Sequence, residues 1–243
     1  MSKRPSKPIH ILQLYPRDMN IYGDTGNLLV LQRRLERYGY EPVVHSYNPG
    51  DAFPDDIDIV LGGGGQDSGQ NKIQDDLIAI SPRLHDLADG DTPMLVICGL
   101  YQLFGHFFET HDGTRIKGID LLDVTTYGRS ERLIGNIHTH SRLFGDIVGY
   151  ENHSGQTFLG AGATPLAEVI LGAGNNVEDT HEGAMYRHVI GSYLHGSLLP
   201  KNPAIADYLI HHAVKKKYGE EIEKQLNDSL ADKARAVAMK RPR

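Results

Sequence analysis

Tryptophan is absent from these 243 residues, cysteine occurs once, and no apolar run approaches the roughly 18 residues of a membrane-spanning helix. One cysteine excludes an internal disulfide framework and fits a reducing compartment. An excess of positive charge is lacking as well. With 25 Lys and Arg against 31 Asp and Glu the formal net charge is −6, and only residues 233–243 are conspicuously basic. A nucleic-acid or anionic-membrane binder normally presents a basic surface, so neither role is expected. The opening Met1-Ser2-Lys3-Arg4-Pro5 is followed by too short an apolar run for a signal peptide, and the expectation is a soluble cytoplasmic chain. Internal repeats and low-complexity segments are also missing. The length suits one α/β domain with an ample core better than two small ones.

What is present is organised around residues 94–102. Pro93 opens a short apolar run, Met94-Leu95-Val96-Ile97, that reads as a buried strand ending on Cys98, with Gly99 next to relieve a sharp turn. A strand-to-helix elbow raises its side chain above the sheet edge, and the following backbone N–H groups point at whatever the sulfur attacks. Cys98 is thus either a nucleophile or a small buried hydrophobe, the usual fate of a lone intracellular cysteine.

Upstream, residues 9–14, 43–45 and 57–61 read as strands. Between the first two lies a polar loop, residues 15–27, and a helix with Leu28, Leu31 and Leu35 on one face, Gly39 as its stop and Asp24 or Thr25 as its cap. The loop is explained by turn chemistry alone or has a binding role. After the third strand come Gly62-Gly63-Gly64-Gly65, which let backbone approach a ligand and present N–H groups to an anion. The Lys-Ser/Thr of a P-loop is missing, which favours an oxyanion over a nucleotide phosphate. A helical stretch with Ile73, Leu77, Ile80, Leu84 and Leu87, interrupted at Pro82, returns the chain to the Cys98 strand. Such alternation implies a parallel, doubly wound sheet with its site beyond the C-terminal strand edges.

From 113 to 162 short alternating segments predict antiparallel or mixed strands. Residues 189–194 form a last strand that delivers His195-Gly196, and helices follow over about 203–217 and 220–240, the second strongly charged. His195 repeats the placement of Cys98: apolar strand, reactive side chain, glycine. A lone histidine there is commonly structural, but beside Cys98 it would make a thiolate–imidazole pair. An imidazolium lowers a thiol from its usual pKa of about 8.5 toward neutrality. His138, His140 and His211-His212 have no cysteine or acidic set at metal spacing around them, so no metal site is expected.

These residues resemble the class I (triad) glutamine amidotransferases. Cys98-Gly99-Leu100-Tyr101-Gln102 is similar to their Cys-x-Gly-x-Gln elbow, Gly62 to Gly65 to their oxyanion strand, and Tyr193-Leu194-His195-Gly196 to their catalytic histidine. Gly149-Tyr150-Glu151-Asn152-His153 resembles the cobyric-acid-synthase-like branch. Tyr22-Gly23-Asp24-Thr25-Gly26-Asn27, Arg132-Leu133-Ile134-Gly135, Asn152-His153-Ser154-Gly155 and His195-Gly196-Ser197-Leu198-Leu199-Pro200 resemble, within it, the GatD family of glutaminase subunits of lipid II isoglutaminyl synthase.

The resemblance implies an α/β fold, a mostly parallel, flavodoxin-like sheet flanked by helices with added antiparallel strands. It divides the chain into a flexible N-terminus (1–8), the amidotransferase domain (9–217) and a charged C-terminal helix with a basic tail (218–243). It implies glutamine hydrolysis through a thioester on Cys98 with His195 as proton carrier, and an oxyanion held near Gly64, Gly99 and Leu100. Arg132 would grip glutamine, unless it makes only a surface salt bridge, and Gln102 would line the site, unless it is a helix-surface amide. No cofactor is implied. Ammonia would pass to a MurT-like ATP-dependent Mur ligase, in a heterodimer, which amidates D-glutamate of lipid II for peptidoglycan. A cobalamin-pathway amidotransferase, a PfpI-like cysteine hydrolase and a non-catalytic interaction subunit are the alternatives.

Two departures stand out. Leu100 occupies the usual glycine position of the elbow. Ser197 occupies the place, two residues after the histidine, where many class I enzymes carry glutamate. The carboxylate that orients His195 would come from elsewhere in this chain or from the partner, or the site would work as a dyad.

Overall fold

Apolar runs that are buried on both faces belong in parallel sheets covered by helices. In the computed structural model, which describes residues 7–241, four such runs lie side by side: β1 (Pro8–Leu14), β3 (Ile59–Gly62), β4 (Met94–Ile97) and β12 (Val189–Ser192). Every residue of β3, β4 and β12 is buried. With β2 (Glu41–Tyr47) and β11 (Ala184–Tyr186) at the edges, the sheet order is β11-β12-β4-β3-β1-β2. All neighbours pair in parallel except β11 with β12. The five parallel strands follow the doubly wound flavodoxin-like order, as expected.

Helix α1 (Thr25–Tyr38) buries Leu28, Leu31 and Leu35 and stops at Gly39, whose φ of 94° lies in the left-handed region glycine tolerates. It packs against α4 (Pro203–Tyr218), while α2 (Asp67–Asp89) packs against the short α3 (Gly99–Phe104). Contrary to expectation, α2 runs unbroken through Pro82. A proline inside a helix costs roughly 3 kcal/mol, but burying Ile73, Leu77, Ile80 and Leu84 returns about 1.5–3 kcal/mol each. Pro82 itself is on the exposed face of the helix.

The added strands form a sheet of their own. β5 (Phe107–Glu109), β6 (Arg115–Lys117), β7 (Val124–Ser141), β9 (Ala167–Leu171) and β10 (His181–Glu182) lie in the order β10-β9-β7-β5-β6, and β8 (Gly145–Leu159) pairs with β7. Only β5 and β7 are parallel. The β7–β8 hairpin reaches the first sheet through one bridge, Tyr150 to His195, with the His195 N–H donating to the Tyr150 carbonyl at 2.8 Å.

The C-terminal helix is shorter than expected. Residues 219–228 run without helix, and α5 spans Ser229–Ala238. The buried Arg34 of α1 explains the extended stretch. Its guanidinium forks onto Asp207 of α4 at 2.7 and 2.6 Å and reaches Asp228 at 2.6 Å, which draws the segment across α1 and α4 before α5 starts. The expected flexible N-terminus lies mostly outside the described residues; of it, Lys7 precedes β1 and Pro8 begins that strand. No described helix is long and apolar enough to cross a membrane.

Candidate active site

Four segments leave the C-terminal ends of β1, β3, β4 and β12 on one edge of the sheet, and their side chains converge. Cys98 follows β4 directly, and its N–H donates to the Ser192 carbonyl at 2.8 Å, so the ends of β4 and β12 are stitched together. Cys98 has φ 50° and ψ −105°, a conformation that costs a non-glycine residue roughly 1–3 kcal/mol. Such strain is what an elbow needs to raise a side chain above the sheet, and the thiol is the group it raises.

Gly64 lies between Cys98 and His195. A Cβ placed on Gly64 would stand 2.7 Å from His195 Cε1 and 3.2 Å from Cys98 Cβ, so only glycine lets the two close together. The glycine loop also explains Leu100 in the elbow. A Cβ on Gly62 would meet Leu100 Cδ1 at 2.4 Å, so the missing side chain on β3 makes room for the leucine. Gly99 abuts the loop in turn, its notional Cβ 3.0 Å from the Gly65 nitrogen.

The residues after His195 supply no carboxylate, but one from the polar loop approaches the ring. Asp24 does not cap α1 with its side chain. Its Oδ2 accepts the Gly64 N–H at 2.7 Å, and its Oδ1 lies 3.7 Å from His195 Nδ1, both side chains being almost fully buried. The Gly64 N–H expected to meet an oxyanion is therefore already bonded to Asp24. Burial disfavours the charged His195 ring, but the Cys98 sulfur and the Asp24 carboxylate outweigh it and raise its pKa well above the ordinary histidine value.

A cavity of about 370 Å³ opens above Cys98, lined among others by Tyr22, Gly65, Gln102, Arg132, Asn152 and His153. That lies within the roughly 300–1,000 Å³ of small-molecule sites. Arg132 reaches it because register between β7 and β8 jumps from Gly128–Gly155 to Leu133–His153, so residues 129–132 bulge out against Ser154 alone. Its Nε donates to Asn152 Oδ1 at 2.7 Å and one terminal nitrogen to the Tyr22 hydroxyl at 3.3 Å. Tyr22 stands edge-on to His195, ring centroids 4.4 Å apart, and so closes the site between base and arginine. Gln102 is a buried amide, not a helix-surface one: its Oε1 accepts from Gln70 at 2.7 Å and its Nε2 donates to the Tyr193 hydroxyl at 3.0 Å. His153 stacks on Tyr193 at 3.6 Å, and burial pushes its pKa down to about 3, which keeps it neutral.

The structure thus brings Cys98, His195, Gly64, Gly99, Leu100, Gln102 and Arg132 to one place. Sequence reasoning assigns Asp24, Tyr22 and Gly65 no site role of their own: Asp24 is read as a cap of α1, Tyr22 as part of a motif and Gly65 as one of the glycine run. The available signal was a polar, aromatic loop beyond the C-terminal end of the first parallel strand, where doubly wound folds build sites. Among the described residues no group of three or more His, Cys, Asp or Glu side chains is arranged to hold a metal ion; His138 and His140 both face Asp146.

A model of the CobB/CobQ-like glutamine amidotransferase domain matches residues 10–203. The chain belongs to this family. The GatD subunit of the glutamine-hydrolysing lipid II isoglutaminyl synthase of Streptococcus pneumoniae is 39% identical to it over 218 residues, 88% of this chain and 84% of that protein. The subunit of the same description from Staphylococcus aureus is 37% identical over 224 residues, 92% and 91% of the two chains. A probable cobyric acid synthase of Methanothermobacter thermautotrophicus is 30% identical over 175 residues, but these are only 34% of that protein. Of solved structures, PurLQS from Thermotoga maritima superposes with a TM-score of 0.59 at 14% identity, covering 84% of this chain and 98% of its own, a likeness of fold.

Behind the cysteine–histidine pair of this amidotransferase lies a second buried carboxyl. Glu182 Oε1 accepts from Ser192 Oγ at 2.5 Å and from the Tyr193 N–H at 3.2 Å, and Ser192 Oγ accepts from the Leu194 N–H at 3.1 Å, a chain that shapes the exit from β12. Burial raises the Glu182 pKa from 4.5 to about 8 against the pull of those hydrogen bonds. A carboxyl whose folded pKa is raised favours folding below its unfolded pKa and loses that contribution as pH climbs through the folded value. Thermal unfolding midpoints should therefore fall between about pH 4.5 and about pH 8, and Glu182→Gln should flatten that slope. Equal slopes for both proteins would show that Glu182 is ionised in the fold.

Proposed function

We propose that this chain is the glutaminase subunit of a lipid II isoglutaminyl synthase, hydrolysing glutamine and supplying ammonia to a MurT-like ATP-dependent Mur ligase in a cytoplasmic heterodimer. The product would be lipid II whose D-glutamate is amidated to D-isoglutamine. The observation that carries this reading is the packing of Cys98 and His195 against Gly64 beneath a cavity with Arg132 at its mouth. The likeness to GatD subunits over most of both chains supports the ligase partner and the acceptor.

In the proposed reaction glutamine enters with its α-carboxylate toward Arg132 and its carboxamide toward Cys98. The Cys98 thiolate, held as an ion pair with the His195 imidazolium, attacks the carboxamide carbon. The oxyanion that forms is met by backbone N–H groups of Gly65 and of the elbow residues Gly99 and Leu100; Gly64 fixes the loop through Asp24. His195 gives its proton to the departing nitrogen, ammonia leaves, and a γ-glutamyl thioester remains. His195 then takes a proton from water, whose attack releases glutamate and the Cys98 thiolate. Gln102 and its buried network keep the elbow in place below the substrate.

The reading is tested by ammonia release from L-glutamine by the full chain, alone and with its co-expressed ligase. In the same assay Arg132→Ala should raise the glutamine KM about 10- to 100-fold with kcat changed little, the worth of a charge-assisted carboxylate contact. No ammonia release in either preparation would overturn the function, and an unchanged KM would leave Arg132 a surface group.

A further inference from the structure

We infer that Asp24 is the positioning residue of this site, a carboxylate that holds His195 in its working tautomer and locks the glycine loop with its other oxygen. The inference rests on the glutaminase reading for its kinetic consequence, and on geometry alone for its electrostatic one. Asp24 is 6% exposed and His195 1%. Asp24 Oδ1 and His195 Nδ1 are both buried with no hydrogen-bond partner, and they face each other across 3.7 Å. Buried polar atoms left unmade are costly, and here each is the natural partner of the other. The gap exceeds a hydrogen bond by less than about 1 Å, and such contacts are commonly long before substrate closes a site. An Nδ1–H turned to Asp24 leaves the Nε2 lone pair for the Cys98 thiol.

The loop is built to keep Asp24 there. Ser197, at the position where glutamate is usual, uses its hydroxyl to hold the Gly23 carbonyl at 2.8 Å, immediately before Asp24. Gly26 makes room for that serine: its notional Cβ would fall 2.1 Å from Ser197 Oγ. The Leu199 N–H donates to Asn27 Oδ1 at 2.9 Å, and the Thr25 N–H to Asn20 Oδ1 at 2.9 Å. Residues 197–199 thus grip the loop on both sides of Asp24 instead of contributing a carboxylate themselves. Because Asp24 Oδ2 takes the Gly64 N–H, one group sets both the base and the glycine loop.

Cys98 is the only cysteine, so alkylation by iodoacetamide followed by mass spectrometry reads this thiol alone. The ionisable groups around the His195 ring are Cys98, Asp24 and Tyr22, with His153 neutral beyond them. Losing the Asp24 charge lowers the imidazolium pKa, so the thiolate loses its cation and its midpoint rises. Asp24→Asn, which keeps an acceptor for Gly64 but turns an amide N–H toward Nδ1, should move the alkylation midpoint up by about one pH unit or more. Its kcat for glutamine should fall about 10²- to 10⁴-fold with KM within about threefold, and Asp24→Glu should recover part of both. Ser197→Ala, which only loosens the loop, should shift the midpoint the same way by less, and it serves if Asp24→Asn folds poorly. Superposable alkylation profiles for wild type and these variants would overturn the inference while ammonia release by the wild type still upheld the function. A shifted midpoint with no ammonia release by any protein would uphold Asp24 and overturn the function.

Discussion

Cys98→Ala and Cys98→Ser should release no measurable ammonia from glutamine, a loss of at least ~10⁴-fold, while thermal stability should stay within roughly 1 kcal/mol of the wild type. The rate is lost because neither a methyl group nor a weakly activated hydroxyl replaces a thiolate held beside an imidazolium. Stability survives because the strained backbone at residue 98 belongs to the elbow, and alanine or serine places the same Cβ there. Steady-state ammonia assays beside thermal unfolding check both halves. Substantial turnover by either variant would sink the thioester mechanism.

His195→Ala should cost about 10³- to 10⁵-fold in rate, since thiol activation and proton delivery to the leaving nitrogen fail together. This variant also strips Asp24 of its facing partner and leaves a buried carboxylate uncompensated, so it should unfold more easily than Cys98→Ala. His195→Gln separates the two effects, because its amide restores a donor near Asp24 without an ionisable ring. Comparable turnover losses in both variants, with the stability loss in the alanine variant only, are expected. A loss in rate below about tenfold would return His195 to a structural part.

How legible the site was depended on how local its signals are. Cys98 and His195 each follow an apolar strand and precede a glycine, a pattern complete within eight or so residues, and both were found this way. Arg132 and Gln102 were reached through resemblance, and the structure adds the reason each faces the cavity: a four-residue bulge in β7 and a buried amide network. The charged C-terminal helix was overextended because charge alone does not bound a helix, whereas Arg34 bonding to Asp228 does.

The sequence by itself determined the parallel core, the helices with an apolar stripe, the two elbows and the antiparallel or mixed strands of residues 113–162, since periods of 2 and 3.6 and the conformational freedom of glycine act between near neighbours. Only the tertiary structure decided that the added strands form a separate sheet bridged to His195, that α2 continues through Pro82, and that Asp24 faces His195 and takes the Gly64 N–H instead of capping α1. Residues 24, 64 and 195 meet because β1, β3 and β12 end on the same sheet edge. The value of a buried carboxylate there depends on partners that chain folding alone brings within reach.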